Sequence, residues 1–146
     1  MKTRPKEVFE RLGAPLKNVV WSWGARREPD GPVFLRVWLD QIVTRNGLQF
    51  VRVTNAKRAE QHKEENQRYK SGYLERLEHV ELIQIGVPCY LVVCIVADKD
   101  AMPRRIADIV DDSVFLGGDL VQLDGDWWIE LKRKIRLKNG QLPEEA

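Results

Sequence analysis

The sequence predicts an α+β domain built on a curved, mostly antiparallel β-sheet, or a partly open barrel, with short flanking helices. Three observations carry this expectation. Two hairpin dipeptides, Asn46-Gly47 and Asp124-Gly125, each lie between runs rich in apolar residues; Cys89 to Ala97 is continuously apolar; and helical periodicity is confined to short segments. At 146 residues the chain has the size of a single domain, 1–146, able to bury a core without disulfides or a structural metal.

The elements follow in order. Pro5 at a first helical position, Val8, Phe9 and Leu12 on one face and Gly13 as a stop predict a short helix over about 5–12 that covers the sheet. Asn18 to Arg27 reads as a strand with Val19, Trp21 and Trp23 on one face, turning at Pro29-Asp30-Gly31 into a second strand from Val33 to about Thr44. Along that strand Val33, Leu35, Val37 and Leu39 share one face, and Phe34, Arg36, Trp38 and Asp40 the other. Asn46-Gly47 leads into Leu48 to Thr54, completing an expected three-stranded meander.

Ala56 to Lys70 is polar, with no apolar stripe to bury, and predicts an exposed helix or an excursion that Ser71-Gly72 breaks. Tyr73 to Ile85 resumes as a packed helix through Leu74, Leu77, Val80 and Ile83 or Gln84, ending at Gly86 and Pro88. Cys89 to Ala97 is the expected central strand, covered on both faces. Pro103 to Val110 predicts a short helix and Ser113 to Leu116 a strand. Asp119 to Leu123 and Trp127 to Leu137 predict a last hairpin with Trp127, Ile129, Leu131 and Ile135 inward.

Composition narrows the function. The chain is 43% hydrophobic and 32% charged, as folded domains are, and its net charge of +2 does not by itself mark a nucleic-acid binder. Basic residues nevertheless cluster at Arg26-Arg27, from Lys57 to Lys70, at Arg104-Arg105 and from Lys132 to Lys138. Cys89 and Cys94 lie five apart in one strand, on opposite faces, and are expected to be buried thiols. The longest apolar run is about half of the roughly 20 residues a membrane span needs, and the N-terminus is charged, so the expectation is a cytoplasmic protein with no membrane partner.

No complete metal or nucleophile centre is expected, and no cofactor. His62 and His79 have no further ligand at metal spacing, there is no Gly-x-Ser-x-Gly, and neither cysteine has an adjacent histidine. Gly117-Gly118 precedes Asp119, which repels anions. Asp119 followed by Glu130-Leu-Lys132 resembles the acid and Glu-x-Lys arrangement of the PD-(D/E)XK nucleases, in which two carboxylates hold Mg²⁺ and the lysine orients water. The competing reading is a solvated outer strand face of Trp128, Glu130, Lys132 and Lys134.

Aromatic residues offer another chemistry. Trp21, Trp23, Trp38 and Tyr73, together with Asp40, would clamp a planar base by stacking and read its edge. Arg26, Arg27, Arg36, Arg58 and Arg68 are the candidates for phosphate contacts. Trp21 and Trp23 stay open between core packing and ligand contact.

The segments Val20-Trp-Ser-Trp-Gly-Ala25, Val33-Phe-Leu-Arg-Val-Trp-Leu-Asp40, Gly72-Tyr-Leu-Glu-Arg-Leu-Glu-His79 and Gly125-Asp-Trp-Trp-Ile-Glu130 resemble the PUA-like group that includes EVE, YTH, ASCH and SRA domains. They are similar to SRA-like modules that accompany bacterial HNH restriction endonucleases. The resemblance spans about Asn18 to Leu137. It implies a non-enzymatic reader that flips a modified base, in DNA rather than RNA, into an aromatic pocket. No HNH residues follow Leu137, so cleavage would fall to a partner nuclease subunit or domain. A protein-interaction module docking through residues 56–70 is the remaining alternative.

Overall fold

The computed structural model describes residues 4–18, 21–56, 67–101 and 104–143, with 67–70 in backbone alone. Two helices are described, α1 (Pro5–Arg11) and α2 (Gln67–Gln84). Among the described residues eight strands form one unclosed sheet: β1 (Gly24–Arg26), β2 (Val33–Trp38), β3 (Ile42–Arg45), β4 (Leu48–Arg52), β5 (Cys89–Val96), β6 (Ile106–Ile109), β7 (Ser113–Leu123) and β8 (Asp126–Arg136). The strand order is β1-β2-β5-β7-β8-β4-β3, with β6 beside β5, and every pairing except β2 with β5 is antiparallel. The α+β class and the mostly antiparallel sheet therefore agree with the sequence. No described helix is long and apolar enough to cross a membrane.

The connection from β2 to β3 explains the curvature. These strands stand near opposite ends of the order, yet only the 3-10 turn Leu39–Gln41 separates them. The sheet must curl to bring its β3–β4 end back to β2. Val33, Leu35 and Val37 of β2 then share one core with Val51, Leu91, Val93, Ile129 and Leu131, closed by Val80 of α2. On the other face Val8, Phe9 and Leu12 cover Phe34, Val92, Cys94 and Val114, as the α1 periodicity predicts. Phe9 and Phe34 are fully buried, each contributing on the order of 2–3 kcal/mol of hydrophobic stabilisation. Cys89 falls in one core and Cys94 in the other, both as free thiols.

Several local expectations are corrected. The first strand is only Gly24–Arg26, because Trp21 and Ser22 are tied back to Asn18 and not paired in the sheet; Val19 lies outside the described residues. Asn18 N–H donates to Ser22 Oγ (3.0 Å), Ser22 N–H to Asn18 O (2.9 Å) and Trp21 N–H to Asn18 Oδ1 (3.3 Å). The second strand breaks at Leu39–Gln41, and β2 pairs with β5 instead of completing a meander. Residues 106–109 are not helical: the open edge of β5 recruits them, with Cys94 opposite Ile109. β7 runs unbroken through Gly117 and Gly118, absorbing them as bulges.

Ser71-Gly72 does not interrupt α2 either. Gly72 serves close approach: a Cβ there would sit 2.5 Å from Trp23 Cε2 and 2.7 Å from the Trp21 carbonyl oxygen. The buried face of α2 also differs from the expected apolar stripe. Leu74 is 49% exposed, while Glu75, Arg76 and His79 are buried beside Val80. The Ala56 to Lys70 excursion lies mostly outside the described residues.

Candidate functional site

The aromatic candidates divide into two neighbourhoods joined through Arg36. The first is built on α2. Trp23 lies just before β1, and its carbonyl accepts hydrogen bonds from Arg36 N–H (2.8 Å) and from the Arg76 guanidinium (2.9 Å). Arg76 also donates to the carbonyls of Arg36 (2.6 Å) and Val53 (2.9 Å). One guanidinium thus ties β1 and β2 to the end of β4, bridging two parts of the sheet that no ladder joins. Burial, reinforced by the Arg36 charge, lowers Arg76 to about 10, so it remains a cation at neutral pH. The Trp23 ring lies 5.9 Å from it in cation–π contact.

Around this brace, Glu75 accepts from Ser22 Oγ (3.0 Å) and from the Trp23 backbone N–H, while burial raises its carboxyl pKa. Burial, with the Arg76 charge acting in the same direction, pushes His79 down to about 4, so its imidazole is neutral. Tyr73 is half-buried; desolvation and the nearby Asp126 carboxylate raise its hydroxyl pKa. Asp126 is itself buried, accepting from Thr54 Oγ1 (3.0 Å) and Ala56 N–H (2.8 Å) and pairing with Arg52.

The second neighbourhood lies at the end of β2. Trp38 is half-buried against the α1-side core, with the guanidinium of Arg36 at 5.9 Å and that of Arg104 at 5.4 Å from its ring. Asp40, in the 3-10 turn, accepts both arms of Arg104 (2.8 and 2.9 Å). That bidentate bond holds the Asp40 carboxyl below the usual carboxylate range. Desolvation lowers the Arg36 pKa. Trp38, Asp40, Arg36 and Arg104 form one continuous arrangement of ring, carboxylate and two cations. Trp21, whose carbonyl abuts Gly72, belongs with Trp23 and Tyr73 at α2.

Sequence reasoning missed Glu75 and Arg76, which sit in a helix chosen for its leucines, and weighed His79 only as a metal ligand. It noted Arg104 only as part of a basic pair. Asp40, the one acid on the face of Phe34, Arg36 and Trp38, is the signal that pointed to this end of β2.

Most of the proposed phosphate ligands are engaged internally. Arg26 Nε donates to Gly31 O (3.0 Å). Arg27 donates twice to Leu12 O and lies over the Phe34 ring at 5.2 Å. Arg36 is packed as described above, and Arg58 and the Arg68 side chain lie outside the described residues.

Of the nuclease-like trio, Asp119 is exposed at the β7 bulge and lines a shallow concavity of about 410 Å³ with Ile83, Gln84, Gly118, Leu120 and Trp127. Glu130 folds over Gly118, where a Cβ would meet Glu130 Oε1 at 2.5 Å. The register passes from Leu116 opposite Arg133 to Gly117 opposite Leu131, so Lys132 is bulged out and the alternation that would align it with Glu130 is interrupted. Among the described residues no three His, Cys, Asp or Glu side chains are grouped to hold a metal. The two thiols, pushed up to about 12 by burial, are protonated and unsuited to nucleophilic work. Compared with known proteins, the chain matches no family model, no curated protein and no solved structure.

Proposed function

We propose that this chain is a non-enzymatic, PUA-like reader of modified nucleic acid, in which Trp38 is the stacking platform and Asp40 the group that reads the base edge. The observation that supports this is the half-buried Trp38 ring with two guanidinium groups near it, Arg36 at 5.9 Å and Arg104 at 5.4 Å, the second tethered by Asp40. A guanidinium and a nucleobase are both planar groups that stack on an indole, so they compete for the same surface. With Asp40 at the surface, its bond to Arg104 contributes on the order of 1 kcal/mol, whereas a base stacked on an aromatic ring contributes about 1–3 kcal/mol. Arg104 also gives up its contact with the Trp38 ring, so the exchange of Arg104 for a base is near balance, and it frees Asp40 to accept from a base amino group and Arg104 to pair with phosphate. Trp21, Trp23 and Tyr73 act at one remove, seating α2 beside the strand that carries the platform. Any cleavage falls to a partner nuclease.

The test is fluorescence anisotropy with matched duplexes that differ in one 5-methylcytosine or 5-hydroxymethylcytosine. Wild-type protein should prefer one modified duplex by at least about tenfold, equivalent to 1.4 kcal/mol. Trp38→Leu should erase that preference while the protein stays folded. An undiminished preference in the variant refutes the platform.

A further inference from the structure

We infer that the second half of β8 and the turn after it form the docking surface for the phosphate backbone of the nucleic acid, separate from the Trp38 platform. The inference rests on the nucleic-acid reading above and supplies the backbone contacts that Arg26, Arg27 and Arg36, engaged internally, do not.

Leu131 to Lys138 contains five basic residues and no acidic one. Lys132, Arg133, Lys134, Arg136 and Lys138 are all exposed, and none forms an ion pair with a described residue. Since the whole chain carries only +2, the remainder is net negative and the positive charge is segregated onto this ribbon.

The geometry suits a polyanion. Lys134 lies opposite Phe115 and Arg136 opposite Ser113, so the two share a face, and Lys138 continues the row two residues on. Successive side chains on that face are about 6.8 Å apart, so the row presents its cations at even spacing along one line, as a polyanionic strand presents its charges. Among the described residues β4 pairs with β8 only from Trp128 to Glu130 and no other strand pairs with this edge from Leu131 onward, so alternate backbone N–H groups there are open as additional phosphate donors. Charges along a sheet edge also keep it from pairing with another chain. Five of one sign, repelling one another with no acid between them, call for an anionic partner.

The experiment uses the full chain and an unmodified 20-base-pair duplex, with anisotropy measured from 50 to 200 mM NaCl. Wild-type log affinity should fall with log salt at a slope of at least about 2.7 in magnitude, or 0.9 for each of three contacts. The Lys134→Gln/Arg136→Gln/Lys138→Gln variant should lose most of that slope, and Lys138→Gln alone about 0.9 of it. Lys6→Gln on α1 should change nothing. Trp38→Leu should keep the slope and lose only the modification preference.

An unchanged slope in the triple variant, with the preference intact, overturns this surface and leaves the reader standing. A reduced slope with no preference in wild-type protein does the reverse. Absence of salt-dependent DNA binding at 50 mM overturns both, as does binding of phosphatidylserine vesicles through these residues without any binding of DNA.

Discussion

Gly72→Ala should destabilise the protein, although at an ordinary helical position the same change stabilises. Alanine exceeds glycine in helix propensity by about 1 kcal/mol, so a solvent-facing Gly72 would yield a gain of that size. Here the new methyl would lie 2.5 Å from Trp23 Cε2, 2.6 Å from Trp23 Nε1 and 2.7 Å from the Trp21 carbonyl oxygen. The last of these is backbone and cannot rotate away. Trp23 cannot withdraw freely either, because its carbonyl is held by Arg36 and Arg76. Overpacking of this kind costs about 1–3 kcal/mol, with more expected when backbone must move. Set against the propensity gain, the net is a loss of up to about 2 kcal/mol, or up to roughly 6 °C in Tm for a chain of this size. Urea titration followed by tryptophan fluorescence should show a lower midpoint at unchanged m. Trp23→Leu in the Gly72→Ala background should recover part of the loss, a coupling that only contacting residues show. A midpoint above wild type for Gly72→Ala would mean that the helix and the Trp23 segment are not in contact.

Two further outcomes concern the buried polar face of α2. Arg76→Met keeps the length of the side chain but leaves the carbonyls of Val53, Trp23 and Arg36 without their shared donor; the expected loss is about 3–5 kcal/mol by chemical denaturation. Arg76→Lys should restore only a fraction, since a single ammonium cannot span three acceptors as the guanidinium fork does, and a loss under 1 kcal/mol in Arg76→Met would show that the brace is dispensable. His79 is pushed down to about 4 in the fold from an ordinary 6.5, so between those values the unfolded chain binds a proton that the folded chain does not. Stability should therefore fall by about 3 kcal/mol as pH drops through that window. Glu75, raised by burial, acts in the opposite sense, so the measurement is the difference between wild type and His79→Gln in urea midpoints at pH 7 and 4.5; parallel pH profiles would refute the assignment.

The features legible in the sequence were those with local causes. Asn46-Gly47 and Asp124-Gly125 take the positive φ values their turns require, 51° and 80°, then 52° and 83°. The β5 run is apolar throughout because strands border both its edges and a core covers each face. What escaped the sequence depended on distant partners. Nothing near residue 106 requests a strand; the unpaired end of β5 imposes it. Gly72 looks like a helix breaker until Trp23 is placed against it. Arg76 looks like a solvated charge among leucines, because helical periodicity registers only apolar residues. Its burial follows from carbonyls at Trp23, Arg36 and Val53, three separate segments that converge on this point of the helix. The candidate site was legible in part for the same reason: Trp38 and Asp40 share a predicted strand face, while Arg104 arrives from a segment whose position depends on β6.

Arginine use in this chain also bears on how a basic sequence should be read. Arg76 lies over Trp23, Arg36 and Arg104 over Trp38, Arg52 over Trp128 and Arg27 over Phe34. Arg27, Arg52, Arg76 and Arg104 also place guanidinium N–H groups on carbonyl or carboxylate oxygens. A flat, weakly hydrated cation with five fixed donors fits between a ring and a row of acceptors, whereas an ammonium, strongly hydrated on a flexible stem, does not. Lysine accordingly supplies three of the five free cations of the β8 ribbon, where the surroundings are solvent. Proximity in sequence to a tryptophan or a strand end, as at Arg26, Arg27 and Arg36, is a circumstance that recruits a guanidinium for internal contacts. The cations available to an anionic partner are those with neither a ring nor an oxygen acceptor within reach, and along the described chain they are densest from Lys132 to Lys138.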